Sequence, residues 1–246
     1  MTTAPTQDRQ QRFTGRRVVV TGASGGVGRE LCDIFRAEGA TVLGADVVAG
    51  EDVHPLDLTD DASVTTFVDH ALGTLGGIDV LCNVAGIQTF AKIEDLSGEL
   101  IRRHLDVNAV GPLLLAQGFA PALAESGGNI VSVASISALM GQPYNTAYCA
   151  SKAALLLGMR ALAVELAGRG VRVNCVSPGG IDTPMMDRAA QGLPADVDWS
   201  LIAKSQGVMP GFSPPVDIAE SVLFLASHAA ASITGSNLVV DRGVIW

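Results

Sequence analysis

A β-branched run, Val18-Val19-Val20-Thr21, passes directly into Gly22-Ala23-Ser24-Gly25-Gly26-Val27-Gly28 and then into Arg29-Glu30-Leu31-Cys32-Asp33-Ile34-Phe35, which has the apolar spacing of a helix. A strand that is apolar on both faces belongs inside a parallel sheet. The glycines fall in the pattern Gly-x-x-x-Gly-x-Gly, at Gly22, Gly26 and Gly28. A strand, a glycine turn and a helix N-terminus make a phosphate site. Backbone N–H groups and the positive helix end face the anion, and missing side chains let a pyrophosphate approach.

The rest of the chain repeats the alternation. Strand-like runs at 18–21, 41–46, 52–56, 80–83, 129–134, 172–176 and 238–240 alternate with helical patterns. That implies an α/β fold, a doubly wound parallel sheet of about seven strands with helices on both faces, the Rossmann type. At 246 residues one domain suffices. We expect a loose tail over residues 1–13 and a single dinucleotide-binding catalytic domain over 14–246. Between Asp46 and Asp57 there is no room for the helix that a parallel crossover ordinarily carries, so Val47-Val48-Ala49-Gly50-Glu51 must cross alone. Residues 184–215 hold five prolines and scattered apolar residues, an irregular piece long enough to be functional.

Composition narrows the partners. A net charge of −9 argues against nucleic acid, which calls for a basic face. The tail is polar with no apolar core of a signal peptide, and residues 109–124 and 153–167 are interrupted by prolines or charges, so no membrane span is expected. The four cysteines have no paired spacing for a metal or a redox couple, and we expect no metal and a cytoplasmic location.

Tyr148 and Lys152, four residues apart, share one helix face. An ammonium ~4 Å from a phenol at an effective dielectric of ~20 is worth about 4 kcal/mol, roughly three pKa units. On that reasoning Lys152 should draw the Tyr148 phenol down towards neutral pH, fit for proton exchange with an alcohol or carbonyl.

The glycine turn and the downstream Tyr-x-x-x-Lys together resemble the short-chain dehydrogenase/reductase family, over about residues 16–241. Asn83-Val84-Ala85-Gly86, Asn108, Ser135, Pro178-Gly179 and Thr183 are further matches. The resemblance implies a catalytic set of Asn108, Ser135, Tyr148 and Lys152. Tyr148 would exchange a proton with the substrate oxygen and Ser135 would stabilise charge there. Lys152 would tune the tyrosine and bind the nicotinamide ribose, and Asn108 would hold a water linking Lys152 to solvent. The cofactor would lie on Gly22, Ser24, Gly25, Gly26, Val27, Gly28, Asp46, Asp57, Leu58, Asn83, Ala85, Gly86, Tyr148, Lys152, Pro178, Gly179, Ile181 and Thr183. Asp46, ending the second strand, suits the two ribose hydroxyls of NAD and repels the 2′-phosphate of NADP, while Gly25, Val47 and Val48 stand where NADP users place cations. Asp57 would meet the adenine, or cap the helix that begins near Asp60.

In relatives, the segment equivalent to 184–215 covers the substrate. Expected substrate contacts are Ser135, Ser137, Gln88, Tyr144, Tyr148 and Met185, with Ile136, Leu139, Met140, Thr89, Phe90, Asn145, Met186 and Trp199 near them. This lining has no fixed cation, so a small, uncharged, cyclic secondary alcohol or ketone fits best. Two relatives compete: the 3-oxoacyl-carrier-protein reductases, and the dihydrodiol dehydrogenase that forms 2,3-dihydroxybenzoate. The carboxylate of the latter's substrate could be answered only by Lys92, Arg188 or Lys204. A non-catalytic NAD-binding sensor or scaffold is the reading from another class. Asp241-Arg242-Gly243 replaces the family's Asp-Gly-Gly, and because arginine adopts left-handed angles less freely than glycine, the tail to Trp246 should be re-routed. The two apolar helices at about 99–125 and 148–168 exceed what a monomer should expose, and relatives pair them, so a homotetramer is expected.

Overall fold

The structure, a computed structural model, describes residues 11–50 and 52–245. Along the chain β1 (Arg17–Thr21) is followed by α1 (Gly26–Ala37), β2 (Thr41–Asp46), β3 (Val53–Pro55), α2 (Asp61–Leu75), β4 (Val80–Asn83), α3 (Gly98–Leu105) and α4 (Gly111–Ser126). Then come β5 (Asn129–Val133), α5 (Thr146–Ala167), β6 (Arg172–Pro178), α6 (Pro184–Gln191), α7 (Trp199–Ile202), α8 (Pro215–Ala226) and β7 (Asn237–Val240). The strands form one sheet in the order β3-β2-β1-β4-β5-β6-β7, every pair parallel. The chain winds outwards from β1 to β3, then returns to lay β4 on the other side of β1. At such a reversal the loops leave the strand ends in opposite directions and open a crevice.

The central strands β1, β4 and β5 are buried on both faces, as their unbroken apolar runs require. Leu31, Phe35, Ile218, Val222 and Leu223, from α1 and α8, cover one face. Phe67, Phe119, Leu123, Leu155 and Met159, from α2, α4 and α5, cover the other. Helix ends follow side-chain chemistry: Asp60 caps α2 by accepting the Ala62 N–H, Ser97 caps α3 by accepting the Leu100 N–H, and Gly127 closes α4 in the left-handed region.

Several expectations need correction. The β2–β3 crossing is indeed made without a helix, but β3 is a three-residue strand and not the five-residue run at 52–56. Phe13, placed in the loose tail, is buried edge-on against Phe35, because a large apolar ring two residues from Gly15 can reach the α1 face. The remainder of that tail, residues 1–10, lies outside the described residues. Part of the apolar surface thought too large for a monomer is covered by the chain's own core: Leu115, Phe119, Leu155, Leu156 and Met159 are buried, and Leu113, Leu114 and Leu162 are partly buried against it. Leu157 at 64% and Val164 at 82% exposure remain outside on α5. The helix expected at 99–125 is continuous over Gly98–Ser126 but contains a π-helical turn at Asp106–Val110.

At the C-terminal turn the arginine adopts the angles expected to be difficult for it. Arg242 takes φ +58°, the left-handed conformation that suits glycine. Asp241 makes this possible, accepting the N–H groups of Gly243, Val244 and Ile245 at 2.9, 3.1 and 2.7 Å. Trp246 lies outside the described residues.

Candidate active site

The crevice at the carboxyl ends of the strands opens into one cavity of about 1380 Å³. Its adenosine side begins at the glycine turn. Gly22 takes φ +72°, and a Cβ there would lie 2.8 Å from the backbone of Ala85. A Cβ on Gly28 would meet the Gly22 carbonyl oxygen at 2.1 Å. The turn therefore packs flat on the strand ends. Helix α1 begins at Gly26 with no capping side chain and no acidic residue in its first turn, so its N–H groups and positive end face the cavity uncompensated. That is a cradle for a diphosphate, and the residues present fit a dinucleotide.

Asp46 stands at the end of β2 on the cavity wall. One of its oxygens accepts the Ser24 N–H at 3.1 Å and the other the Val48 N–H at 3.2 Å. Ser24 Oγ in turn donates to the Val48 carbonyl at 3.0 Å. The short β2–β3 loop is thus folded back onto the glycine turn, with Asp46 as the joint. Asp57 also lines the cavity. It does not cap α2, since Asp60 does; it accepts the N–H and hydroxyl of Thr59 at 2.9 and 2.7 Å. Those bonds hold its carboxyl below the usual range, with a further contribution from the Arg103 guanidinium.

The reacting end is built by β5, α5 and the π turn. Tyr148 and Lys152 are 6% and 3% exposed, one turn apart on α5. Lys152 Nζ donates to the Val133 carbonyl at 2.8 Å and lies 5.8 Å from the Tyr148 ring centroid. Ser135, extended at the end of β5, accepts the Ser137 N–H and donates to Ser137 Oγ, both at 3.1 Å. Ser137 then donates to Gln142 Oε1 at 2.5 Å. Asn108 sits on the π turn, the kind of insertion that re-aims a side chain. It accepts the Ile87 N–H at 2.8 Å and donates to the Ile87 carbonyl and Ser151 Oγ, both at 2.9 Å. A Cβ on Gly86 would lie 3.1 Å from Asn108 Oδ1 and 3.4 Å from Lys152 Nζ, so both groups converge over the Gly86 backbone.

The electrostatics differ from the expectation. The Tyr148 phenol is pushed up to about 12 by burial, with a hydrogen bond to Ser135 pulling the other way. Burial lowers the Lys152 ammonium to about 8. Desolvation by burial is the largest cause of both shifts.

Every expected cofactor residue lies on the cavity wall except Asn83. Its side chain is buried beneath the wall, donating to Ser132 Oγ at 3.3 Å. Asn108 likewise stands behind the wall and acts through Ile87 and Ser151. Of the substrate contacts, Ser135, Ser137, Gln88, Tyr148 and Met185 line the cavity, together with Ile136, Phe90, Met186 and Trp199. Tyr144, Leu139, Met140, Thr89 and Asn145 do not. Tyr144 instead holds the covering segment: its hydroxyl accepts the Asp198 N–H at 3.0 Å, and its carbonyl accepts the Ala91 N–H at 2.8 Å. It does so from φ +61°, a rare conformation for tyrosine. Lys92 is paired with Asp196 of the same segment. The wall also contains Arg242, Val244, Arg103 and Ile87, which sequence reasoning missed. For Arg242 the available signal was an arginine in place of a glycine.

A parallel sheet reversing at β1 and β4, a helix N-terminus bare for a diphosphate, and a buried serine, tyrosine and lysine around one cavity define a dinucleotide-dependent oxidoreductase. Comparison with known proteins agrees. Residues 22–245 match the family described as enoyl-(acyl carrier protein) reductase. The chain is 35% identical over 248 residues to D-threitol dehydrogenase of Mycolicibacterium smegmatis, covering 94% of each. It is 32% identical over 250 residues to the 3-oxoacyl-[acyl-carrier-protein] reductase of Thermotoga maritima, covering 95% of this chain and 99% of that one. It is also 39% identical over 249 residues to a short-chain type dehydrogenase/reductase of Sinorhizobium fredii, covering 96% of this chain but only 45% of that longer protein. Among solved structures, a short-chain dehydrogenase of Mycobacterium paratuberculosis bound to NAD superposes with TM-score 0.86 at 27% identity, covering 95% of this chain and 98% of that one. One of Burkholderia cenocepacia in complex with NADP gives 0.84 at 31%, covering 95% and 99%. The chain belongs to the short-chain dehydrogenase/reductase family, whose members use a nicotinamide cofactor.

Proposed function

We propose that this protein transfers a hydride between NAD(H) and a secondary alcohol or ketone, with Tyr148 as the general acid and base. The observation that carries the cofactor preference is Asp46. Its carboxylate ends β2 on the cavity wall, and the two residues after it are exposed valines. A 2′-phosphate placed there would face a fixed negative charge, whereas two ribose hydroxyls would find an acceptor. Arg29, on the same side, directs its guanidinium to the Ser24 carbonyl at 3.1 Å. A bound nicotinamide supplies or accepts the hydride. Tyr148 gives its proton to the ketone oxygen, or takes one from the alcohol. Ser135 donates a hydrogen bond to that same oxygen as charge develops. Lys152 stands ready to repay the tyrosine, and at about 8 its own proton is exchangeable near neutral pH. Asn108 keeps the Ile87 and Ser151 backbone and hydroxyl groups in place behind it.

The expectation of an uncharged substrate rested on a lining without a fixed cation, and Arg242 on the wall removes that ground. We assign the protein to the cytoplasm on its four free cysteines. No nucleic-acid or membrane partner is proposed. A homotetramer is proposed on narrower grounds than before, the exposed Leu157 and Val164 stripe of α5, with light scattering at micromolar concentration as its test; a stable active monomer would refute it.

Steady-state kinetics across a panel of secondary alcohols with NAD and NADP test the main reading. NAD should be preferred at least tenfold in kcat/KM, and Asp46→Ala should narrow the gap. Tyr148→Phe should abolish turnover while NADH still binds within a few-fold of wild type. Equal use of the two cofactors, or a tenth of the activity retained in Tyr148→Phe, would overturn the assignment.

A further inference from the structure

Arg242 is out of place by every local criterion. It occupies a left-handed backbone position with φ +58°, which glycine would fill without strain. Its backbone is locked there by the covering segment: the Arg242 carbonyl accepts the Met209 N–H at 3.0 Å, and the Gly243 carbonyl accepts the Val208 N–H at 3.2 Å. Its guanidinium makes one hydrogen bond among the described residues, from Nη2 to the Pro210 carbonyl at 2.8 Å. Nε is buried without any partner. No carboxylate among the described residues pairs with it, and the neighbouring Asp241 is occupied by the three N–H groups of the turn. Nε is closed off from the cavity, so a ligand would meet the guanidinium at its Nη atoms, of which only Nη2 is engaged; a cation held at a strained position on the cavity wall with donors to spare points to a ligand.

The register places that ligand. Val240, the last residue of β7, pairs with Pro178 of β6, and Asp241 packs on Gly179, where a Cβ would lie 3.0 Å from the Asp241 backbone. Arg242 thus lies beside the end of β6, on the same cavity wall as Ser135 and Tyr148. The other arginines of the wall are elsewhere or engaged. Arg29 is at the glycine turn, Arg103 influences Asp57 on the adenosine side, and Arg188 is exposed on α6. Around Arg242 the wall is apolar, with Val208, Met209, Phe212 and Val244.

We infer that Arg242 reads a carboxylate on the substrate, so that the protein acts on hydroxy- or oxo-carboxylates whose carbinol or carbonyl carbon is held at Tyr148. This rests on the oxidoreductase reading above and names its substrate class. Guanidinium offers a planar fork that suits carboxylate geometry, and an apolar surround strengthens the pairing. The Pro210 carbonyl, on the covering segment, holds that same guanidinium through Nη2.

The test uses matched pairs: 3-hydroxybutanoate, 4-hydroxypentanoate and 4-hydroxycyclohexanecarboxylate, each against its own carboxamide. Wild type should favour at least one carboxylate over its amide by tenfold or more in kcat/KM. Arg242→Gly, which suits the backbone and should not lower Tm, should bring that ratio towards one, and Arg242→Lys should retain part of it. Binding gives a readout without turnover. Cyclohexanecarboxylate should bind the NADH-loaded protein at least tenfold more tightly than cyclohexanecarboxamide, and the difference should vanish in Arg242→Gly. Ratios within threefold for all pairs together with equal binding, or a preference that survives Arg242→Gly, would overturn the inference while leaving the oxidoreductase reading intact. Equal losses for acid and amide in Arg242→Gly would also overturn it, by showing a purely structural role. Failure to bind NADH at all would instead sink the parent reading, and this inference with it.

Discussion

Lys152 should make the cofactor-free protein less stable, and replacing it should show by how much. Burial lowers its folded pKa from 10.5 to about 8, and no carboxylate contributes to the shift. That difference of about 2.5 units corresponds to about 3 kcal/mol of destabilisation wherever both states are protonated. Lys152→Met keeps the length of the side chain while removing the charge. It also removes the hydrogen bond to the Val133 carbonyl, which offsets the gain by ~1 kcal/mol. The net expectation is about 1–3 kcal/mol in favour of the variant at pH 7, a Tm rise of roughly 2–10 °C for a chain of this size. The sign follows from linkage. Between pH 8 and 10.5 the unfolded chain holds a proton that the folded lysine has lost, so wild type gains stability with rising pH and the variant's advantage shrinks. Above 10.5 the advantage is gone. Thermal unfolding of both proteins without cofactor, at fixed protein concentration and several pH values from 7 to 10, measures the difference directly. A variant less stable than wild type at pH 7, or an advantage equal at pH 7 and pH 10, would refute the reasoning.

Gly22→Ala should be strongly destabilising, because it combines a left-handed backbone position with a Cβ 2.8 Å from the Ala85 backbone; roughly 2–5 kcal/mol is expected, and a Tm within 2 °C of wild type would contradict the packing described. Gly73→Ala, in α2 with nothing within 4 Å of the new methyl, serves as its counterpart and should gain about 1 kcal/mol. Tyr144→Phe removes the acceptor for the Asp198 N–H and should raise substrate KM about fivefold with little change in kcat, the loss of about 1 kcal/mol in holding the covering segment closed. An unchanged KM in that variant would show that the hydroxyl does not hold the segment.

What was legible in the sequence was what local spacing determines. The glycine turn, each strand-like run and the tyrosine–lysine pair span fewer than ten residues, and apart from the shortened β3 each appears where it was expected. The missing crossover helix was also legible, since six residues cannot contain one. What stayed hidden depends on contacts between distant segments. Which apolar residues of α4 and α5 turn inward was hidden, because nothing local shows that α2 brings Phe67 edge-on to Phe119, 6.3 Å between centroids. The phenol of Tyr148 was expected to be acidic because spacing reports a neighbouring ammonium but not the desolvation that outweighs it. Tyr144 is close in sequence to Tyr148, yet its left-handed backbone turns it to the covering segment and away from the cavity.

The two departures from the family pattern stand at opposite ends of one crevice, and each is tied down by hydrogen bonds. At the adenosine end, the helix-free crossing turns Val48 back onto the glycine turn, where Asp46 and Ser24 hold it through three hydrogen bonds. The carboxylate proposed to select the cofactor is therefore held in place by the chain's own hydrogen bonds, a preorganised feature of the wall. At the other end, an arginine in place of glycine ties the C-terminal turn to the covering segment at Val208, Met209 and Pro210. The stretch before these contacts, α6 and α7, is held by Tyr144 through Asp198 and by Lys92 through Asp196. Variants that loosen the contact of the C-terminal turn with Val208, Met209 and Pro210 should therefore alter substrate KM before they alter NADH binding.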